Sequence, residues 1–186
     1  MRTAEQLRYL ILAAQREGNR VLQALLTELD LTPAQSEALG LISDHGPLAL
    51  SELGDMLVCD SGTNPSRIVN RLVAAGLVER HPGKQDRRQI RLSASRLGAS
   101  TAERVRRIEG RLYDSIDAAV SDADQQVLIR ALGRLTEHSP AGESLHKRLA
   151  AEYPADSGDD PLVAEVLEDA EEHGFGFDIV VEPGPA

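Results

Sequence analysis

Residues 51–93, SELGDMLVCDSGTNPSRIVNRLVAAGLVER followed by HPGKQDRRQIRLS, decide how the rest of the chain is organised. Leu53, Met56 and Leu57 share one face at helical spacing, and Ser51 is placed to cap that helix. Asp60, Ser61, Gly62 and Thr63 then break the pattern. Asn64-Pro65 predicts a new start, because a proline at the first helical position gives up only an amide that has no partner there. The helix runs from Asn64 to Ala75, with Ile68, Val69, Leu72 and Val73 as its apolar stripe. Ser66, Arg67, Asn70 and Arg71 lie on the opposite face, and Gly76 is the stop.

Two strands follow. Residues 77–81 and 89–93 flank Pro82-Gly83-Lys84-Gln85-Asp86, whose composition suits a hairpin turn. Ile90, Leu92 and Ala94 alternate with Gln89, Arg91 and Ser93, which predicts a dry face and a wet one. A helix-turn-helix joined to a basic hairpin has the outline of a winged helix. The expected fold is mainly α with a small β-hairpin wing, a winged helix-turn-helix carried on a helical body.

The flanking segments are helical. Residues 4–29 place Leu7, Leu10, Ile11, Ala14, Val21, Leu22, Leu25, Leu26 and Leu29 on one stripe. At 1.5 Å per residue it extends over roughly 40 Å, more than a small domain needs to cover itself, which suggests a seam shared with a second chain. Thr32-Pro33-Ala34-Gln35 reads as a capping box for a helix to about Asp44. Its Ala38, Leu39, Leu41 and Ile42 would underlie the 64–75 helix, and His45-Gly46-Pro47 stops it. Ser95 can cap a helix from Arg96 to Val120, with Val105, Ile108, Leu112, Ile116 and Ala119 on one face. Ser121 or Asp122 begins another, carrying Val127, Leu128, Ala131, Leu132 and Leu135. Beyond Ser139-Pro140, residues 143–151 suit a short helix. Residues 155–161 read as a linker, residues 162–170 as an acidic amphipathic segment, and residues 177–181 as a strand.

Composition narrows the function. The 186 residues carry a formal charge of -10, which at first argues against a nucleic-acid partner. Residues 1–138, however, hold 18 basic and 18 acidic side chains, and residues 139–186 hold 2 and 12. Residues 61–107 hold 11 basic against 3 acidic, a local +8. Duplex binding needs a basic face, not a basic protein. Aromatics are only 3% of the chain, too few for the stacking platforms of single-strand binders. The single cysteine and the scattered histidines offer no zinc spacing, and neither a metal nor a cofactor is expected. Residues 1–18 have a short apolar run broken by charge, unlike a signal peptide or membrane span. A cytoplasmic protein with no membrane partner is expected.

The sequence resembles the MarR (multiple antibiotic resistance regulator) family of bacterial transcription factors. The resemblance rests on LTPAQ at 31–35, HGPLALSEL at 45–53, SRIVNRLVAAGLVER at 66–80, Asp86-Arg87-Arg88, and Ser95-Arg96-Leu97-Gly98. Together these cover roughly residues 5–138 in the family's order. The chain departs from the family at Gly62-Thr63-Asn64-Pro65 and in its extension past residue 138. The implied organisation is an N-terminal dimerisation helix at 1–30, a DNA-binding lobe at 31–95, C-terminal dimerisation helices at 96–138, and an acidic extension at 139–186. The 64–75 helix would enter the major groove with Thr63, Asn64, Ser66, Arg67, Asn70 and Arg71. Arginine can bond guanine bidentately, asparagine can do so with adenine, and short hydroxyls reach phosphates. In the wing, Asp86 would hold the loop, Arg88 would enter the minor groove, and Lys84 and Arg87 would meet phosphates. The resemblance also implies a small, often phenolic, effector that changes the spacing of the two recognition helices.

The expected function is therefore a homodimeric regulator of transcription, a repressor on a pseudo-palindromic duplex operator. A second reading is a protein-interaction module on a winged-helix scaffold, whose acidic tail binds a partner or blocks the DNA face. No nucleophile–base pair, phosphate loop or metal cluster supports an enzyme. Arg104, Arg106 and Arg107 read as paired or solvated. Cys59, beside Asp60, reads as a small hydrophobe in preference to a redox sensor.

Overall fold

The computed structural model describes residues 1–58, 64–83 and 88–152, and the chain forms two compact units, residues 1–120 and 121–186. The first contains α1 (Thr3–Leu26), a 3-10 turn (Thr27–Leu29), α2 (Pro33–His45), β1 (Leu48–Ala49) and α3 (Leu50–Met56). It continues with α4 (Pro65–Ala74), β2 (Val78–Pro82), β3 (Ile90–Ala94) and α5 (Arg96–Ala119). The strands make one antiparallel sheet in the order β1-β3-β2. This is a winged helix-turn-helix, with α3 and α4 as the helical pair and the β2–β3 hairpin as the wing.

The starts of the helices follow their sequence signals closely. Thr32 and Gln35 form the reciprocal box, the Gln35 amide donating to Thr32 Oγ1 at 3.3 Å and the Thr32 amide to Gln35 Oε1 at 2.8 Å. Asn64 caps α4, its Oδ1 accepting from the Ser66 amide at 3.0 Å. Ser95 caps α5, its Oγ accepting from Gly98 at 2.9 Å. One assignment shifts. Ser51 lies inside α3 instead of capping it, because the helix begins at Leu50 after extended Ala49. Alanine has no acceptor to offer, and only the return half of a box forms: the Ala49 amide donates to Glu52 Oε2 at 2.7 Å.

The core is the winged lobe itself. Leu26, Leu39, Ile42, Leu53, Val69, Leu72, Val78, Leu92 and Val105 are essentially sealed from solvent. Each fully buried aliphatic side chain of this kind contributes about 1.5–3 kcal/mol. A ten-residue helix such as α4 is marginal in isolation. Packing of Ile68, Val69 and Leu72 against α2 and β2 therefore holds it in place. The buried hydrophobic side chains are Leu, Ile, Val and Ala with a single Met, as the scarcity of aromatics requires.

The wing differs in one respect from the alternation read in the sequence. Leu92 faces the core, but Ile90 is 53% exposed. The two share a face of the sheet, since Leu92 pairs with Arg80 and Ile90 with Pro82. Ile90 sits two residues nearer the tip, past the helices that cover Leu92. Both strands also run one residue later than the sequence pattern placed them, and β1, pairing Leu48 with Leu92, was not anticipated.

In the second unit, α6 (Asp122–Thr136) and α7 (Pro140–Glu152) are joined by a tight turn. Ser139 Oγ donates to the Thr136 carbonyl at 2.7 Å and accepts from the Gly142 amide at 3.1 Å. Val127, Leu128, Ile129, Leu132 and Leu135 of α6 stay exposed, and no hydrophobic side chain among residues 121–152 is buried.

Two stability outcomes follow from this geometry. A Cβ on Gly98 would collide with the Leu77 carbonyl, whereas one on Gly110 meets nothing. Gly98→Ala should lower unfolding free energy by about 1–3 kcal/mol in urea titrations, and Gly110→Ala should leave it unchanged or raise it. Asn64→Ala should cost about 1 kcal/mol and Asn64→Asp much less, because aspartate keeps the cap.

Candidate nucleic-acid interface

The exposed side of α4 is set by what its other side buries. Ile68, Val69 and Leu72 face inward and Val73 is half-buried, leaving Arg67, Asn70 and Arg71 outward. Asn64 is exposed at the N-terminus and Ser66 is half-buried. Neither the Arg67 nor the Arg71 guanidinium is engaged by another side chain among the described residues. An arginine with all its donors available can fork onto two acceptors at once. The helix dipole at the N-terminal end favours anions, although its first-turn amides are taken: Pro65 has none, Ser66 donates to Asn64 Oδ1 and Arg67 to the Asn64 carbonyl.

The end of α4 is fixed by backbone chemistry. Gly76 adopts φ 71°, a conformation that costs a glycine nothing. It lets the Leu77 amide reach the Leu72 carbonyl and its own amide the Val73 carbonyl, both at 2.9 Å. Ser95 then ties this end to α5 and the wing. Its hydroxyl donates to the Gly76 carbonyl at 2.7 Å, and its amide donates to the Leu77 carbonyl at 2.9 Å.

Three polar anchors add to the residues read from the sequence. Arg80 of β2 donates from Nη2 to Asn70 Oδ1 at 2.6 Å, joining wing to helix. Arg91 of β3 pairs with Glu52 of α3 at 2.6 Å. Glu37, buried in α2, accepts from the Val58 amide at 2.9 Å and so holds the chain that leaves α3. For Arg80 a signal did exist: it lies two residues after buried Val78 and therefore on the same face of the strand. Glu37, between Ser36 and Ala38, gave none, because α2 is buried almost all round.

Two arginines of α5 are paired, Arg106 with Asp44 at 2.8 Å and Arg104 with Glu28 at 3.9 Å, and Arg107 is exposed. Arg88 is exposed two residues before β3, on the tip side of the wing. Thr63, Lys84, Asp86 and Arg87, together with Cys59 and the extension from residue 153, lie outside the described residues. Among the described residues no group of three or more His, Cys, Asp or Glu side chains is placed to hold a metal ion. No described helix is long and apolar enough to cross a membrane.

Known proteins share this sequence and architecture. Residues 29–89 match the MarR family model. The chain is 32% identical over 110 residues to the organic hydroperoxide resistance transcriptional regulator of Bacillus subtilis (strain 168), across 59% of this chain and 74% of that protein. It is 32% identical over 101 residues to the multiple antibiotic resistance protein MarR of Escherichia coli (strain K12), across 54% and 69%. The crystal structure of a mutant MarR from E. coli complexed with operator DNA superposes with a TM-score of 0.63 at 27% identity, across 70% of this chain and 93% of that one. With the winged lobe, its caps and its exposed basic helix in place, these matches show that the chain belongs to the MarR family of transcription regulators.

Proposed function

We propose that the protein is a homodimeric, sequence-specific reader of duplex DNA that occupies a pseudo-palindromic operator in the cytoplasm and represses transcription from it. The observation that carries this reading is the outward face of α4, where Arg67 and Arg71 keep their donors available around Asn70 on a helix held from behind by its apolar stripe. A helix so mounted fits a major groove, and two of them related by a dyad fit half-sites about one helical turn apart. That the similar E. coli protein was crystallised on operator DNA supports the same use of this surface here. Thr63, Asn64 and Ser66 would meet phosphates and base edges at the start of the helix. In the wing, Asp86 would hold the loop, Lys84 and Arg87 would meet phosphates, and Arg88 would enter the flanking minor groove.

The second copy is called for by apolar surface that one chain leaves uncovered. Leu7, Leu10, Ile11 and Leu12 of α1, Tyr113 and Ile116 of α5, and the α6 cluster are exposed. Apolar surface of this extent on a transcription regulator marks an association site. An effector that binds better to the spacing unfit for DNA would lower affinity by that difference and no more.

Fluorescence anisotropy on duplexes tiled across the upstream region of the gene tests the DNA reading. One tile should bind tightly, with affinity falling steeply as salt rises. On it, Arg67→Ala and Arg71→Ala should each cost about 1–3 kcal/mol, roughly five- to 150-fold in affinity. Arg88→Ala should reduce the preference for A/T-rich flanks. Undiminished affinity in all three variants would remove the assignment. For the dimer, Leu10→Glu should move the mass measured by light scattering toward one chain and weaken operator binding with it. A dimer that persists would place the seam elsewhere.

A further inference from the structure

Asn70 and Arg80 belong to different elements, yet Arg80 Nη2 donates to Asn70 Oδ1 at 2.6 Å. The pleat of the wing brings them together. Arg80 lies directly opposite Leu92 in the β2–β3 ladder and two residues after Val78, and both of those are buried. Arg80 therefore projects from the face that packs on the helices. Its charged end cannot stay there and extends toward solvent past the flank of α4. The acceptor it meets is the side chain of Asn70.

This contact dictates which way the amide turns. A guanidinium has donors only, so Asn70 must give it the oxygen and direct its NH2 elsewhere. Nothing among the described residues accepts from that NH2. An unrestrained asparagine offers a donor and an acceptor together, the pair that matches N7 and N6–H of adenine in the major groove. Here the acceptor is held by a short charge-assisted bond. The bond fixes the amide with its NH2 donor turned outward.

We infer that Arg80 is a positioning residue that determines specificity: by holding Oδ1 of Asn70 it turns the NH2 outward, which favours the acceptor edge of guanine or thymine over adenine, whose N6–H2 would meet a second donor. The inference rests on the proposed use of α4 in the major groove and adds the base class that one of its side chains reads.

Selection from a randomised duplex pool with the full-length chain tests it, followed by affinities on duplexes carrying each base pair at the position that responds. Asn70→Ala locates that position as the one where preference disappears. The wild type should prefer guanine or thymine there by about tenfold. Arg80→Met should shift that preference toward adenine and leave the other positions alone. Arg80→Lys, again a donor only, should keep the wild-type preference. An equal loss of affinity for every sequence in Arg80→Met would overturn the inference, as would an unmoved preference or a wild-type preference for adenine. Should Arg80→Met fail to fold by circular dichroism, Asn70→Asp decides, because it keeps the bond to Arg80 and removes the outward donor. The preference for guanine or thymine should then give way to a base that presents a donor, and its survival would overturn the inference. A wild type that selects no sequence at all would instead sink the operator reading itself, and this one with it.

Discussion

The backbone at Gly76 and Leu77 is where α4, the wing and the long helix α5 are tied into one body. Gly76 turns the chain in the left-handed region and closes α4. The carbonyls of these two residues then face Ser95, which donates to one through its hydroxyl and to the other through its amide. The same hydroxyl caps α5. Gly98, one turn further on, lies so close to the Leu77 carbonyl that no side chain fits between them. Neutral hydrogen bonds of this kind contribute only about 0.5–1.5 kcal/mol each. Their effect here is geometric, since they meet at a few consecutive atoms and leave no slack between α4 and α5. The position of α4 is thereby tied to the helix that leads out of the winged lobe.

That rigidity sorts the positive charge. Residues 61–107 carry 11 basic side chains, but the fold assigns several of them to itself. Arg80 bonds Asn70, Arg91 pairs with Glu52, Arg104 lies near Glu28, and Arg106 pairs with Asp44. All these partners are at least partly exposed, and exposed pairs typically contribute about 0–1 kcal/mol. Their value is in fixing direction. What remains uncommitted on α4 is Arg67 and Arg71, one helical turn apart and so on one flank. A local charge of +8 therefore overstates the number of basic groups that the fold leaves uncommitted.

Much of this lobe could be read from the sequence because its signals are local. Asn64-Pro65 before an apolar stripe, Gly76 after it, Ser95 before Arg96 and the Thr32/Gln35 pair each act within one helical turn, so spacing alone specifies them. The features that escaped are tertiary. β1 is two residues long, too short for alternation to register, and exists because β3 offers Leu92 as a partner. Ile90 has the right phase for the dry face but lies beyond the helices that make that face dry. The Glu37–Val58 bond joins residues 21 positions apart, and no periodicity links a carboxylate to a backbone amide at that distance. The Arg80–Asn70 bond needed both the strand phase and the helix phase at once, and its consequence for which atoms of Asn70 face outward is invisible in either alone.

The apolar stripes show where sequence reasoning stops for a different reason. Along α1 the same stripe passes from Leu26, fully buried, to Leu10, which is 59% exposed. Along α5 it passes from buried Val105 and Ile108 to Ile116, which is exposed. Periodicity reports that a face must be covered and is silent about what covers it. The lobe covers the ends nearest to it and leaves the far ends of both helices open. A chain whose only purpose was to fold would gain nothing from extending those stripes beyond its own core. Leucines and isoleucines maintained in phase for several turns past that point are the apolar surface that the homodimer proposed above would cover with a two-fold copy of the same helices.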